Sequence, residues 1–371
     1  MGRAKKPRTG EGKGPSLELL RELSEDIKDM TMLADIEVER FVPTFFSTAV
    51  NRCTGIGGWP LRRLAMIHGR ESTGKSVFAL GVAEAMRRHG HIPVIFDTEH
   101  SAETRWYNDL AFGEGTLFKM PTNMDDVITD VQAMLDKLEN AKKGTSKKAK
   151  ALKGTGCCFV VDTLTKLIPK DELEQMMKEG IGRGYPIAAL FISRWMKALI
   201  PQIHKSNSSM IFVVQDRENL DTNSRKKTKT TCGTAVRYDS SLRVEMKYIK
   251  KMKKGDAVVG AQHFFGVEKN KVDGQIAQGS FFTSNGRGDV PAGFDLLSDA
   301  IEEGKERGMI KKRKGLITVN VDSDGESLFA GGVDGDWRDL RAAFKEGTLD
   351  LNDYVAALDQ EAIDESNASR Q

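Results

Sequence analysis

The sequence predicts an α/β protein built on a mostly parallel, doubly wound sheet, and three observations carry that expectation. Short apolar, β-branched runs recur between residues 64 and 215, and amphipathic helical patterns alternate with them. The string Gly69-Arg-Glu-Ser-Thr-Gly74-Lys75-Ser76 joins the first of these runs to a helical segment. Runs of this length and composition suit parallel strands covered on both faces.

Taken in order, residues 1–15 are basic and Gly-rich and read as a disordered tail. Ser16 then caps a segment with Leu17, Leu19, Leu20, Leu23 and Ile27 at helical spacing. Strands are expected at 64–68 (LAMIH), 93–97 (PVIFD), 116–120 (TLFKM), 158–162 (CFVVD) and 210–215 (MIFVVQ), all buried. Between them, a helix is expected over 75–88, and another over 124–138, where Met124, Val127, Ile128, Val131, Leu135 and Leu138 share one face. The Lys-, Gly- and Ser-rich stretch 139–156 interrupts the alternation and is read as a mobile basic loop.

After residue 242 strands follow one another without helices (LRVEMKYI, AQHFFGVEK, GSFFTS), predicting antiparallel hairpins that extend the sheet. Beyond about 293 an amphipathic segment, FDLLSDAIEEGKERGMI, precedes a hairpin candidate, LITVNV-DSDG-ESLFA. Helical stretches follow at 336–346 and 350–363, which together predict a small α+β unit. The expected organisation is therefore a tail and helix over 1–45, a core over 46–290, and a C-terminal unit over 291–371. A chain of 371 residues is long enough for such a core with attachments.

With 39% hydrophobic and 29% charged residues, the composition is that of an ordinary globular protein and excludes a disordered or membrane class. The start lacks the apolar stretch of a secretory signal, so a cytoplasmic, membrane-free protein is expected. Cys53, Cys157, Cys158 and Cys232 have neither CxxC pairing nor metal-ligand spacing and are read as reduced thiols. The net charge of +3 is too small to decide a partner, so placement matters more. Lys and Arg cluster at 3–8, 142–153, 225–229, 247–254 and 311–314, and such runs are most often solvated faces.

The string at 69–76 satisfies the P-loop pattern and sits in the context that pattern requires, after a strand and opening a helix. Gly69, Glu71, Ser72, Thr73 and Gly74 would wrap phosphates with backbone N–H groups; Lys75 would reach the β and γ phosphates, and the Ser76 hydroxyl would ligate Mg²⁺. Asp162 ends an apolar strand and would supply the second group on the metal side; a strand-terminating turn is the competing reading. Glu99 lies just past the end of strand 93–97, where it could orient water, and Gln215 ends a fourth strand. Each alone is explained equally well by capping or a turn. Ligands in open parallel sheets bind outside the carboxyl ends of the strands, so the coincidence of four such ends points to one site.

These residues carry a resemblance. The loop ESTGKS, the block FDTEHSAE, the strand FVVDTLTKLIPK, the Gln215 strand and EKNK at 268–271 resemble the bacterial RecA recombinases in order and spacing, from about 46 to 317. The resemblance implies a RecA-type ATPase core with Glu99 as the catalytic glutamate that activates water. It further implies that Glu103 and Trp106 hold the adenine, that Gln215 senses the γ-phosphate, and that Lys269 and Lys271 reach the ATP of a neighbouring subunit. DNA-binding loops are implied at about 179–186, with Arg183 and Tyr185, and at about 216–233, with Arg217, Arg225, Lys226, Lys227, Lys229 and Gly233. Arg237, Tyr238 and Arg243 fall in a segment used for subunit contacts. This chain departs from the family in having Val214 before Gln215, a more basic second loop without an apolar tip, and the extra stretch 140–156. These departures are those of a divergent or phage-encoded member.

The function so implied is an ATP- and Mg²⁺-dependent recombinase. It would form a helical homo-oligomer on single-stranded DNA and pair that strand with homologous duplex in recombination and repair. Two alternatives remain at this stage: a hexameric helicase or loader on the same core, and a nucleotide-dependent switch that binds protein partners and ignores DNA.

Overall fold

The computed structural model describes residues 41–100, 110, 115–179, 187–218, 228–230, 233–288, 290–313, 316–319, 333–334, 337–346, 351 and 354–360. Two short strands, β1 (Phe41–Val42) and β2 (Trp59–Pro60), pair with each other. The main sheet begins with β3 (Leu64–Gly69), β4 (Ile92–Asp97), β5 (Leu117–Lys119), β6 (Cys157–Asp162) and β7 (Ser209–Glu218). It continues with β8 (Thr228–Thr230), β9 (Leu242–Lys254), β10 (Ala257–Asn270), β11 (Gln278–Ser284) and β12 (Gly293–Phe294). Its order is β12-β11-β10-β9-β3-β7-β6-β4-β5, with β8 added to β7. From β9 to β5 every pairing is parallel, whereas β9 through β12 run antiparallel as the unbroken strand patterns predict.

Alternation along these strands divides two apolar layers. Ala65, Ile67, Ile95, Val160, Ile211 and Val213 face the Lys75–Arg88 helix, while Met66, Phe96, Phe159, Val161, Phe212 and Val214 face the Met124–Lys143 and Ile187–Lys205 helices. Strands apolar at every position are what a sheet covered on both sides demands. Phe78 of the first helix anchors its layer, with edge-on contacts to Phe46, Trp59, Phe265 and Phe281 at ring-centroid distances of 5.4–5.7 Å. Cys53, Cys157 and Cys158 are buried free thiols, and burial pushes Cys53 and Cys157 up to about 12.

Two expectations are corrected. The stretch 139–156 is not a loop throughout: the helix capped by Asn123 continues to Lys143, and after Gly144 the Ser146 hydroxyl caps a second helix, Lys147–Leu152. Its Ala and Lys residues are good helix formers, and Ala149 packs on Gly144, so the absence of large apolar residues did not mean an absence of structure. Strand β5 exists where expected but is not buried, since it is the sheet edge, with Leu117 47% and Phe118 45% exposed. At the C-terminal end the first arm expected for the hairpin is strand β14 (Leu316–Val319), which pairs with β13 (Ile310–Arg313) on one side and β15 (Val333–Asp334) on the other. The second arm expected for that hairpin, ESLFA, lies outside the described residues.

The Leu296–Glu306 helix and the Trp337–Lys345 helix cover this small sheet through a third apolar cluster that includes Ile301, Ile317, Leu340 and Tyr354. Among the described residues no helix is long and apolar enough to cross a membrane. The N-terminal helix expected at 16–31 also lies outside the described residues.

Candidate phosphate-binding site at the strand ends

Strand register brings the candidate groups together. Gly69 at the end of β3 sits opposite Gln215 of β7, Asp162 of β6 sits opposite Val213, and Asp97 of β4 sits opposite Asp162. Where these strands stop, a cavity of about 630 Å³ opens, lined by Glu71, Ser72, Gly74, Lys75, Ser76, Glu99, Asp162, Lys166, Gln215 and His263, among others.

The loop between β3 and the Lys75–Arg88 helix needs glycine at two points. Gly74 has φ +90°, and a Cβ there would stand 2.3 Å from His263 Nδ1; a Cβ on Gly69 would stand 2.3 Å from the Met246 carbonyl oxygen. The N-cap of this helix is Gly74, which has no side chain to cap it, and Gly74, Lys75 and Ser76 line the cavity, so the helix start offers an anion-binding end there. Lys75 Nζ donates to the Arg70 carbonyl at 2.6 Å. Burial lowers the pKa of its ammonium, against the opposing pull of Asp162, Glu99, Asp216 and Glu71.

Burial likewise pushes the Asp162 carboxyl up to about 6, opposed by a hydrogen bond from the Ser76 hydroxyl. Ser76 and Asp162 thus form an adjoining hydroxyl and carboxylate, an all-oxygen donor set that suits Mg²⁺. Among the described residues no three His, Cys, Asp or Glu side chains cluster as a metal cage. Glu99 is positioned by Asp97, whose Oδ1 accepts the backbone N–H groups of Glu99 at 2.9 Å and His100 at 3.1 Å. The Thr98 hydroxyl donates to the Thr163 carbonyl at 2.7 Å and accepts the Thr163 N–H at 2.8 Å, which ties the ends of β4 and β6 together.

Two groups in the cavity went unnoticed in the sequence. Lys166 Nζ lies 3.3 Å from Glu99 Oε1; its position four residues beyond Asp162, in the turn that follows β6, was a local signal. His263 packs beneath the loop, with its ring stacked on Phe281 at 4.6 Å and its Nε2 2.9 Å from Thr283 Oγ1. Burial pulls its pKa down to about 4, so it is neutral near pH 7. A second cavity, also about 630 Å³, lies beyond Val77 and is lined by Leu110, Val258, Gly260, Ala261, Asn285 and Arg287, among others.

The remaining predicted residues divide. Lys269 Nζ donates to the Tyr238 and Arg237 carbonyls at 2.6 and 3.2 Å, at the end of the Gly233–Asp239 helix, and Lys271 is exposed. Neither lysine is among the described residues that line the phosphate cavity. Strand β7 runs on past Gln215 and pairs with β8, Arg217 opposite Lys229, so the second loop has a hairpin stem; Arg217 is exposed and Gly233 opens the next helix. Glu103, Trp106, Arg183, Tyr185, Arg225, Lys226 and Lys227 lie outside the described residues.

The strand, glycine loop and helix, with acidic residues at the neighbouring strand ends, define a P-loop protein of the α/β class. A family model described as the RecA N-terminal domain matches residues 27–288. The chain belongs to the RecA family. It is 27% identical over 281 residues to Protein RecA of Chlorobium chlorochromatii (strain CaD3), covering 76% of this chain and 73% of that protein. It is 28% identical over 279 residues to Protein RecA of Aquifex aeolicus (strain VF5), covering 75% and 73%. Against Protein RecA of Thioalkalivibrio sulfidiphilus (strain HL-EbGR7) it is 28% identical over 299 residues, covering 80% and 79%.

Proposed function

We propose that this chain is a DNA-dependent ATPase that assembles as a helical filament on single-stranded DNA and exchanges that strand with homologous duplex. The observation that carries the reading is continuity: Gln215 lines the phosphate cavity, and the same strand continues without a break into the hairpin stem that bears Arg217. A group that senses phosphate and a loop that meets DNA would then be one piece of backbone.

In this mechanism the loop N–H groups and Lys75 would hold the phosphates of ATP, and Ser76 and Asp162 would hold Mg²⁺. The ion would neutralise charge that develops on the phosphates. Glu99 orients and activates the attacking water, with Asp97 fixing the turn from which it projects. The second cavity beyond Val77 is the natural place for the nucleoside, and the adenine-holding role of Glu103 and Trp106 remains what the family resemblance implies. Lys269 and Lys271 serve the neighbouring subunit's nucleotide, in keeping with their absence from the described lining of their own cavity. The β5 edge, with Leu117 and Phe118 exposed, offers backbone and apolar surface for assembly. The loops grip phosphate backbone while base pairing tests homology, so no base-reading side chains are required. Such a protein works in the cytoplasm.

Electron microscopy with single-stranded DNA and a non-hydrolysable ATP analogue tests the reading. Helical filaments that form only with both ligands support it. Closed hexamers would favour a helicase or loader, and assembly indifferent to DNA would favour a protein-binding switch.

A further inference from the structure

A buried ionic cluster lies one residue from the phosphate loop, and none of the roles above uses it. His68, the last residue of β3 before Gly69, is 5% exposed. Its Nδ1 is 2.8 Å from Asp216 Oδ2 and its Nε2 is 3.2 Å from Glu268 Oε2, which also receives Arg243 Nε at 2.7 Å. Both partners hold telling places in the chain. Asp216 directly follows Gln215, and Glu268 directly precedes Lys269.

A neutral imidazole donates from one nitrogen only, so facing a carboxylate with each nitrogen calls for the doubly protonated ring. The charges facing it from each neighbouring strand are Asp216 on β7, Arg243 and Glu245 on β9, and Glu268 on β10; Glu245 is its register partner. Burial pulls the imidazole pKa down, but the hydrogen bonds to Asp216 and Glu268 outweigh that pull and hold it at about 9. Glu268 is correspondingly held down at about 2, chiefly by its hydrogen bond from His68. Charged hydrogen bonds in a poorly solvated place resist stretching, so the strands they join shift together.

We infer that protonated His68 is a positioning residue that couples the Gln215 strand and its DNA-loop stem to the strand that presents Lys269 to the neighbouring subunit. The inference rests on the proposed recombinase reading and deepens it: His68 carries the regulation of that site. A displacement of Gln215 carries Asp216 with it, the imidazolium passes the shift to Glu268, and Lys269 follows as the next residue. A cluster that only packed the fold would set stability and leave the response to DNA unchanged.

The test measures steady-state ATP hydrolysis by the full chain with and without oligo(dT), from about pH 6 to about pH 10, for wild type, His68→Gln and Glu268→Gln. Both variants are expected to keep the DNA-free rate and the KM for ATP while losing about tenfold in DNA stimulation at neutral pH. Wild-type stimulation should be full where the ring is charged and fall as pH rises through about 9, and His68→Gln should lack that alkaline limb. Full stimulation in both variants, or an unchanged limb in His68→Gln, overturns the inference and leaves the recombinase reading intact. A wild type that DNA does not stimulate overturns both. Should His68→Gln fail to fold by thermal melting, Glu268→Gln decides alone, its side chain being 29% exposed and tolerant of change; full stimulation there overturns the inference.

Discussion

Two inactive proteins should restore hydrolysis to each other when they assemble together. Lys269→Ala with Lys271→Ala leaves the phosphate cavity whole, because neither lysine is among the described residues that line it. Lys75→Ala removes the phosphate-binding ammonium from the cavity but leaves Lys269 seated on the Tyr238 and Arg237 carbonyls, available to a neighbour. Loss of a cation supplied in trans lowers phosphoryl-transfer rates by roughly 10³ to 10⁵, so each protein alone should be close to silent. In the proposed filament a head-to-tail interface would join one subunit's pocket to the next subunit's donor. In a random equal mixture, half the pockets are sound and half of their neighbours are donors, so about one quarter of the interfaces are productive and about one quarter of the wild-type rate should return. Recovery should peak at equal mixing and fall symmetrically on either side. Phosphate release across mixing ratios, with co-assembly verified by sedimentation, is the assay. A flat line at zero would refute the shared site, and undiminished activity in the double lysine variant would show that both side chains are only a solvated strand end.

Other changes separate the parts of the site. Lys75→Ala should abolish nucleotide-dependent activity, whereas Glu99→Gln should still bind ATP and DNA and hydrolyse roughly 10² to 10⁴ times more slowly; equilibrium binding with phosphate release distinguishes them, and wild-type turnover in Glu99→Gln would remove its role. Single-stranded DNA binding should be indifferent to base sequence and weaken steeply with salt. Replacing Arg225, Lys226, Lys227 and Lys229 by Ala should reduce the slope of log K against log salt by up to about 2.8, and an unchanged slope would take the second loop out of the DNA site. Gly74→Ala must place a Cβ 2.3 Å from His263 Nδ1 on a backbone at φ +90°, so it should lose ATP binding and be destabilised by about 1–3 kcal/mol in thermal melts; unaltered ATP affinity would contradict the loop geometry.

Fold and the geometry of the candidate site were legible for the same reason. Both depend on local strings whose physics is fixed by spacing: an apolar run that ends in a polar residue, and a glycine loop that opens a helix. Residues 64–68, 93–97, 158–162 and 210–215 carried the strands, and residues at or just past their ends (Glu71, Ser72, Gly74–Ser76, Glu99, Asp162 and Gln215) line the cavity, because parallel register sets strand ends side by side. Where composition stood in for periodicity, the reading failed: 139–156 looked like a linker because it lacked large apolar residues, although Ala and Lys at helical spacing behind a Ser146 cap were present. Strand β5 was misread for a different reason, since an apolar run does not state whether it will lie at the centre of a sheet or at its edge.

The groups that tune the site were illegible because their partners lie far away along the chain. His263 stands under Gly74 only because β10 runs beside the loop, and nothing near residue 263 announces that. His68 meets Asp216 across 148 residues and Glu268 across 200. Read singly, these are a histidine in an apolar strand, the first residue of a basic loop and an acid before a lysine pair, each with an ordinary local explanation. Only the sheet order, with β3 flanked by β7 on one side and β9 and β10 on the other, makes them one cluster. The sequence motifs define where phosphate would be held. How its presence would be conveyed to DNA and to the next subunit depends on which strands are neighbours, and that is a property of topology.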